Sequence, residues 1–171
     1  MKHDFTCTDG DVILRPMSAS DSELYRQLRN LDINRKCFIF SDPITEEGQQ
    51  KWYRTYLEKP NDYMFSIYNQ KGQFLGGAAL YGVTETSAEF GRILIDKATA
   101  GKSVTGYQVL SILCQFAKDQ LQLQTLHLEV FEDNQPAVKT YEKAGFQAKK
   151  SYPASNGQIL KYMEKNLKDI V

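Results

Sequence analysis

Hydrophobic positions near the start of the chain alternate between strand-like and helix-like spacing. Val12–Met17 is typical of a short strand that ends near a proline. The leucines within Leu24–Leu31 follow the i, i+4, i+7 spacing of one helical face. Ser20 and Glu23 have the Ser-x-x-Glu form of a capping box. The pattern therefore predicts a strand followed by a first helix that begins near Ser20.

The next part of the chain predicts a second helix and three strands. Thr45 can cap a helix whose first turn carries Glu46 and Glu47, where acidic side chains favour the helix dipole. The predicted strands are Met64–Tyr68, Gln73–Tyr81 and Ser87–Asp96. Asn69–Gly72 between the first two is a good hairpin turn, so an antiparallel meander is the simplest arrangement.

The C-terminal half alternates between helices and strands. An apolar stripe over 109–117 predicts a helix, and Thr125–Phe131 alternates apolar and polar residues as a half-buried strand does. Asn134 can cap a further helix that Gly145 ends. Two closing strands are predicted, Phe146–Tyr152 and Gly157–Glu164. Helices packed on a mixed sheet, an α/β fold, follow from this order.

Composition narrows the classes of function. The 171 residues suit one domain, and 21 Lys and Arg balance 21 Asp and Glu, so no overall charge favours nucleic acid or membrane partners. Three cysteines and two histidines lack metal-ligand spacing, which argues against a zinc site and a disulfide framework. Neither a signal peptide nor a membrane-spanning segment is evident, so we expect a cytoplasmic protein.

The stretch AGKSVTGYQVL, residues 100–110, allows two structural interpretations. A Walker loop is excluded because Asp96 stands where its leading glycine belongs. The small-residue turn can present free N–H groups at a helix N-terminus and bind an anion. It can also be an ordinary helix start capped by Ser103 or Thr105. This stretch alone does not separate the two.

The run Glu129–Phe146 carries a specific motif. It contains every fixed letter of V-x-x-x-N-x-x-A-x-x-x-Y-x-K-x-G-F. Together with Leu75–Gly77 and Ala88–Asp96, it resembles the GCN5-related N-acetyltransferases (GNAT), in the branch of ribosomal-protein N-terminal, spermidine and amino-sugar acetyltransferases. The resemblance extends from Leu14 to about Met163.

This resemblance implies both a fold and an activity. The expected fold is α/β (α+β), with a central, mixed, mostly antiparallel sheet of six to seven strands flanked by about four helices, as one acetyltransferase domain over residues 1–171. The implied activity is transfer of an acetyl group from acetyl-coenzyme A to a primary amine by direct attack in a ternary complex, without a metal. The acceptor would be a small-molecule or peptide amine, and a homodimer is compatible with the family.

The same resemblance assigns roles to residues. Tyr141 would be the acid for the departing thiolate. Glu89 is the candidate base because it lies on the central strand near the expected position of the amine, and His127, on the polar face of its strand, is the rival base. The backbone N–H groups near Ile93–Ile95 would polarise the thioester carbonyl. The other expected cofactor contacts, besides Ile93, Leu94 and Ile95, are Gly101, Lys102, Ser103, Val104, Thr105, Gly106, Tyr107, Asn134 and Lys143.

One departure from the family pattern supports an alternative function. Members usually read Arg/Gln-x-x-Gly-x-Gly/Ala at the pyrophosphate loop, whereas here Val104 occupies the middle glycine position when Gly106 is aligned on the last. A β-branched residue does not readily adopt positive φ, so the loop N–H groups could point differently. The alternative is a non-catalytic acyl-coenzyme A-binding module. The sequence leaves the acceptor open among polyamines, amino-sugar nucleotides and protein N-termini.

Overall fold

The computed structural model describes residues 2–170 as eight strands and six α-helices. The strands are β1 (Cys7–Asp9), β2 (Val12–Pro16), β3 (Tyr63–Tyr68), β4 (Phe74–Tyr81), β5 (Ser87–Ile95), β6 (Thr125–Phe131), β7 (Gln147–Pro153) and β8 (Ile159–Asn166). The helices are α1 (Ala19–Arg29), α2 (Asp32–Arg35), α3 (Glu46–Glu58), α4 (Lys97–Ala100), α5 (Gly106–Asp119) and α6 (Gln135–Lys143). A 3₁₀ turn at Leu167–Asp169 follows β8.

The strands form one sheet in the order β1-β2-β3-β4-β5-β6-β8-β7. Every neighbouring pair is antiparallel except β5 and β6, which are joined through α5 and run parallel. Their pairing covers only Ser87–Glu89 against Thr125–His127. Beyond Glu89 and His127 the ladder between the two strands ends, which leaves a gap in the centre of the sheet.

Helices cover the two faces of the sheet. On one face, Tyr25 of α1 and Tyr56 of α3 pack with Met64, Ala79 and Leu94 of the strands. On the other face, the apolar side of α5 and Val138 of α6 belong to the larger core, whose strand residues include Phe65, Leu80 and Leu126. The apolar stripe of α5 therefore faces the sheet, as its spacing predicts. The leucine face predicted for α1 was wrong: Leu24 and Leu31 are exposed, because α1 packs through the face that carries Tyr25.

Capping residues fix most helix boundaries. Thr45 caps α3 through the N–H of Gly48, and Asn134 caps α6. The predicted cap of α1 was wrong by two residues: Ser18 is the cap, and its box partner is Asp21. Asp21, and not Glu23, completes the capping box, because its buried carboxylate also accepts hydrogen bonds from the hydroxyls of Ser66 and Tyr68.

The sheet has eight strands instead of the six to seven that were predicted. The additional strand, β1, contains only Cys7–Asp9 and is too short and polar to show a hydrophobic period. The four-residue helices α2 and α4 were not predicted for the same reason. The antiparallel meander of β3, β4 and β5 is confirmed. Within residues 2–170, no helix has the length and apolar character needed to cross a bilayer.

Candidate active site

A cavity of about 360 Å³ lies where β5 and β6 separate. It is enclosed by these two strands, by the start of α6 and by the segment that follows α2. The lining residues are Arg29, Cys37, Phe38, Ile39, Phe40, Tyr81, Glu89, Phe90, Gly91, Arg92, Ile93, Glu129, Val130, Phe131, Asn134, Ala137, Tyr141 and Leu160. Its size and mixed apolar and polar lining are typical of a small-molecule site.

Four residues singled out from the sequence line this cavity together. They are Glu89 and Ile93 of β5, Asn134 at the N-terminus of α6, and Tyr141 within α6. Residues from distant parts of the chain therefore meet at the gap between β5 and β6. The cofactor candidates Leu94, Ile95, Gly101–Tyr107 and Lys143 do not line this cavity.

A bulge in β5 shapes the edge of the gap. The β4–β5 register shifts between Gly77 and Ala79, and Arg92 has a left-handed φ of 55°. A non-glycine residue in that region is uncommon and carries strain. The hydroxyl of Tyr25 donates to the Arg92 carbonyl oxygen at 2.8 Å, which holds the bulge in place. Beyond Glu89, β5 has no ladder partner on its β6 side, so backbone groups there are available to a ligand.

Glu89 is held by a tyrosine from the neighbouring strand. Tyr81 lies directly opposite Glu89 in the β4–β5 register, and its hydroxyl donates a hydrogen bond to the Glu89 carboxylate. Burial, reinforced by the adjacent carboxylate, raises the pKa of Tyr81, so the phenol remains a donor. Gly91 makes room for the ring, because a Cβ there would lie 2.4 Å from the Tyr81 hydroxyl.

A second carboxylate, Glu129 of β6, also lines the cavity. The hydroxyl of Tyr152 on β7 donates to it. Burial and the hydrogen bond to Glu129 raise the pKa of Tyr152 to about 12. Sequence reasoning missed Glu129, although its place on the polar face of the alternating strand was a usable signal.

Tyr141 is half-buried against apolar rings. Its ring centroid lies 6.2 Å from that of Phe90 in an edge-to-face arrangement, and 6.3 Å from that of Phe146. Burial raises the pKa of Tyr141 to about 12. The phenol is therefore protonated throughout the physiological pH range and can donate a proton or a hydrogen bond.

Two guanidinium groups that the sequence did not reveal line the same cavity. Arg92 donates to both carboxylate oxygens of Asp62, at 2.8 and 3.0 Å, and lies over the ring of Tyr81. Burial opposes its charge, but the hydrogen bonds and charge of Asp62 prevail and raise the pKa of Arg92. Arg29 donates to the carbonyl oxygen of Phe40 at 2.6 Å. Neither arginine belongs to a periodic pattern or motif.

The loop before α5 combines a left-handed glycine with a capped helix start. Gly101 has φ 59°, while Val104 has no positive φ and is buried in the core at 3% exposure. Thr105 is the cap, with Gln108 completing a capping box, so Ser103 is not the cap. The backbone N–H groups of Val104, Gly106 and Tyr107 donate to no other described residue. These N–H groups fit the hypothesis that the loop binds an anion, and Val104 is accommodated there without a positive φ.

Lys143 lies beside this helix start. Its Nζ is 4.4 Å from the centroid of the Tyr107 ring. The two side chains come from α6 and α5, so the loop and the end of α6 share one surface. Lys102 is exposed on the same loop.

His127 does not line the cavity. Its ring stacks on Tyr162 at 5.5 Å, and its Nδ1 is buried without a hydrogen-bond partner in the described part of the chain. Of the two bases considered from the sequence, Glu89 lines the cavity and His127 does not. No group of three or more His, Cys, Asp or Glu side chains among residues 2–170 is arranged to hold a metal ion.

Comparisons with known proteins agree with this geometry. The family model described as acetyltransferase (GNAT) domain matches residues 11–147. Among solved structures, spermidine N-acetyltransferase from Vibrio cholerae in complex with CoA and spermine is similar, with TM-score 0.81, 20% identity and coverage of 94% of this chain and 98% of that one.

A GNAT-family acetyltransferase from Bacillus anthracis is also similar, with TM-score 0.80, 12% identity and coverage of 96% and 100%. The dodecameric Vibrio cholerae spermidine N-acetyltransferase in an intermediate state has TM-score 0.80, 22% identity and coverage of 95% and 98%. No curated protein sequence matches the chain. At these identities the solved structures share its fold. The separated central strands, the signature from Glu129 to Phe146 and the matching family model together establish that the chain belongs to the GNAT acetyltransferase family.

Proposed function

We propose that the protein is an acetyl-coenzyme A-dependent N-acetyltransferase that transfers the acetyl group to a primary amine by direct attack in a ternary complex. The observation that carries this proposal is the meeting of Glu89, Ile93, Asn134 and Tyr141 in one cavity at the gap between β5 and β6. The bound CoA in the Vibrio cholerae relative supports the choice of cofactor.

The residues on this chain fit acetyl-coenzyme A as co-substrate. The unpaired N–H groups of Val104, Gly106 and Tyr107 suit the pyrophosphate, and Lys143 and Lys102 add positive charge nearby. The unpaired edge of β5 around Ile93–Ile95 suits an extended thioester arm. When bound, the thioester supplies an activated acetyl group.

Glu89 is the base in this proposal. A primary ammonium has a pKa of roughly 10, so an amine acceptor must lose a proton before it attacks. The Glu89 carboxylate lies in the cavity and is oriented by Tyr81. It accepts the ammonium proton directly or through a water.

Tyr141 is the acid. Its pKa of about 12 lies above the roughly 8.5 of a free thiol, so the phenol is protonated when the thioester binds and donates a hydrogen bond to the sulfur as negative charge develops there. Backbone N–H groups of the β5 bulge near Ile93 stabilise the negative charge that develops on the carbonyl oxygen. Asn134 caps α6 through the N–H of Ala137 and presents its amide to the cavity.

Calorimetry and a thiol-release assay test this function. The first measures binding of acetyl-coenzyme A, and the second measures amine-dependent release of free thiol across polyamines, amino-sugar nucleotides, peptides and amino acids. We expect binding and amine-dependent release. Binding without release for any amine would instead identify a non-catalytic acyl-coenzyme A-binding module, and no binding would contradict both functions.

A further inference from the structure

Arg29, the last residue of α1, is a buried cation without a carboxylate partner. It is 7% exposed, and among residues 2–170 its Nη1 is buried with no hydrogen-bond acceptor. None of the ion pairs in that range includes Arg29. Buried guanidinium groups are normally paired, because an uncompensated charge away from water is costly. The counter-ion of Arg29 is thus missing from the described chain.

The charge of Arg29 is permanent. Burial lowers the pKa of Arg29, but a guanidinium remains protonated in proteins. The Phe38 ring centroid lies 4.3 Å from its Cζ and covers one face of the guanidinium. The N–H groups point outward in the guanidinium plane, and one of them is used by the Phe40 carbonyl oxygen. The Nη1 donors have no acceptor among residues 2–170.

Arg92 shows that Arg29 differs from an ordinary buried arginine. Both guanidinium groups line the same cavity. Arg92 is neutralised by two hydrogen bonds to Asp62, whose side chain is 4% exposed. Arg29 has only a neutral backbone oxygen and an aromatic face. Of the two, Arg29 alone retains an uncompensated charge next to the cavity.

The cavity also contains negative charge from other elements. Glu89 comes from β5 and Glu129 from β6, and each carboxylate is held by a tyrosine hydroxyl. Arg29 comes from α1 and is covered by the segment that includes Phe38. A ligand that satisfies all of these groups needs a positive end and a negative end within a volume of about 360 Å³.

We propose that the acceptor is a small amine that carries its own acidic group, an α-amino acid being the simplest member, with the acid group on Arg29 and the amine at Glu89. This inference rests on the proposed acetyltransferase function. A guanidinium binds carboxylate or phosphonate oxygens through paired N–H donors, so the shared chemistry is an oxyanion. A polyamine has no such group. It would leave Arg29 unpaired and would bring further positive charge beside it.

Matched amines test the inference with the wild-type protein. Thiol release is measured for the amino acids, and the best of them is compared with its amide, its decarboxylated amine and its aminophosphonate analogue. We expect kcat/KM at least tenfold higher for the acid than for its amide and its decarboxylated amine. Activity of the aminophosphonate distinguishes a general oxyanion site from one that fits only a carboxylate.

Arg29→Met tests the assigned residue, with Arg26→Met on the same helix as control. Arg26 does not line the cavity, since it pairs with Glu23 and donates to the carbonyl oxygen of Ile44. We expect Arg29→Met to raise KM for the acid about tenfold or more and to abolish the preference over the amide. Binding of acetyl-coenzyme A should be unchanged in both variants.

The outcomes separate the two proposals. Efficient turnover of polyamines or peptides but not of amino acids overturns this inference and leaves the acetyltransferase function standing. Binding of acetyl-coenzyme A without turnover of any amine overturns both. If Arg29→Met does not fold, the comparison of acid, amide and decarboxylated amine on the wild type still decides the question, because equal kcat/KM values contradict an acid-binding Arg29.

Discussion

Tyr81 and Glu89 face each other across β4 and β5, and the tyrosine hydroxyl donates to the carboxylate. The ring fits only because Gly91 has no side chain, since a Cβ there would lie 2.4 Å from the hydroxyl. Three residues of the central meander thus fix the position of one carboxylate in the cavity. The arrangement gives the proposed base a defined orientation.

Glu89→Gln should lower kcat roughly 100-fold, because loss of a general base typically costs 10²–10⁴ in rate. Glu129→Gln is the matched control on the next strand, and we expect it to change KM for the amine more than kcat. Steady-state thiol release measures both parameters. Equal losses of kcat in the two variants would contradict a specific role for Glu89 as base.

Gly91→Ala should displace the Tyr81 ring and lower kcat about tenfold. Tyr81→Phe removes only the hydroxyl and should show a similar loss, because both changes release Glu89 from its donor. A comparison glycine must tolerate a Cβ. Gly106 does, because it has open space around its Cβ position and no positive φ, whereas Gly82 has φ 57°. Gly106→Ala tests the loop instead, and with binding of acetyl-coenzyme A as readout we expect less than a threefold change.

Tyr141→Phe should lower kcat roughly 100-fold and leave the Kd of acetyl-coenzyme A within threefold of wild type. Because burial raises the pKa of Tyr141 to about 12, the acid form persists across pH 7–10. The wild-type rate should therefore show no decline up to pH 10 from ionisation of this phenol. Tyr63→Phe on β3, outside the cavity, is the control. An equal loss in Tyr63→Phe would indicate a packing effect.

Val104→Ala should reduce the free energy of unfolding by about 2 kcal/mol, since both γ-methyl groups of a buried side chain are removed from a packed core. Denaturant unfolding measures the loss. Binding of acetyl-coenzyme A should stay within threefold, because the loop offers backbone N–H groups at this position. A large loss of affinity without destabilisation would assign the valine to the ligand instead of the core.

His3 should make stability depend on pH. Burial lowers its pKa below 6.5, and its Nε2 contacts the carbonyl oxygen of Met64 at 3.1 Å. The unfolded state therefore binds more protons than the folded state between the folded pKa and 6.5, so stability falls as pH falls through 6.5. Between pH 7.5 and 5.5, wild type should lose more unfolding free energy than His3→Gln. A larger loss in the variant would contradict a lowered pKa of His3 in the folded state.

The sequence predicts the strands and helices that carry a long apolar period, because burial of one face dictates that period. The stripe over 109–117 and the alternation in Thr125–Phe131 are examples. Short elements such as Cys7–Asp9 are set by pairing with a neighbour, which no local pattern records. The cap of α1 was misplaced because the deciding contacts of Asp21 reach to β3.

Some residues of the candidate site were predicted from the sequence and others were not. Motif resemblance singled out Glu89, Asn134 and Tyr141, and the fold brings them together. The sequence did not identify Arg29 and Arg92. They differ in that Arg92 pairs with Asp62, whereas Arg29 has no carboxylate partner among the described residues. That property exists only after α1, β5 and the segment before β3 have packed. The sequence also did not show that Val104 is a core residue, since its burial depends on the path of the loop.

A crystal structure with bound coenzyme A would show whether the gap between β5 and β6 holds the thioester arm beside Tyr141. We expect the pantetheine arm to lie along the unpaired edge of β5, with its sulfur within hydrogen-bonding distance of the Tyr141 hydroxyl. An arm bound elsewhere, or a Tyr141 hydroxyl turned away from the sulfur, would contradict it.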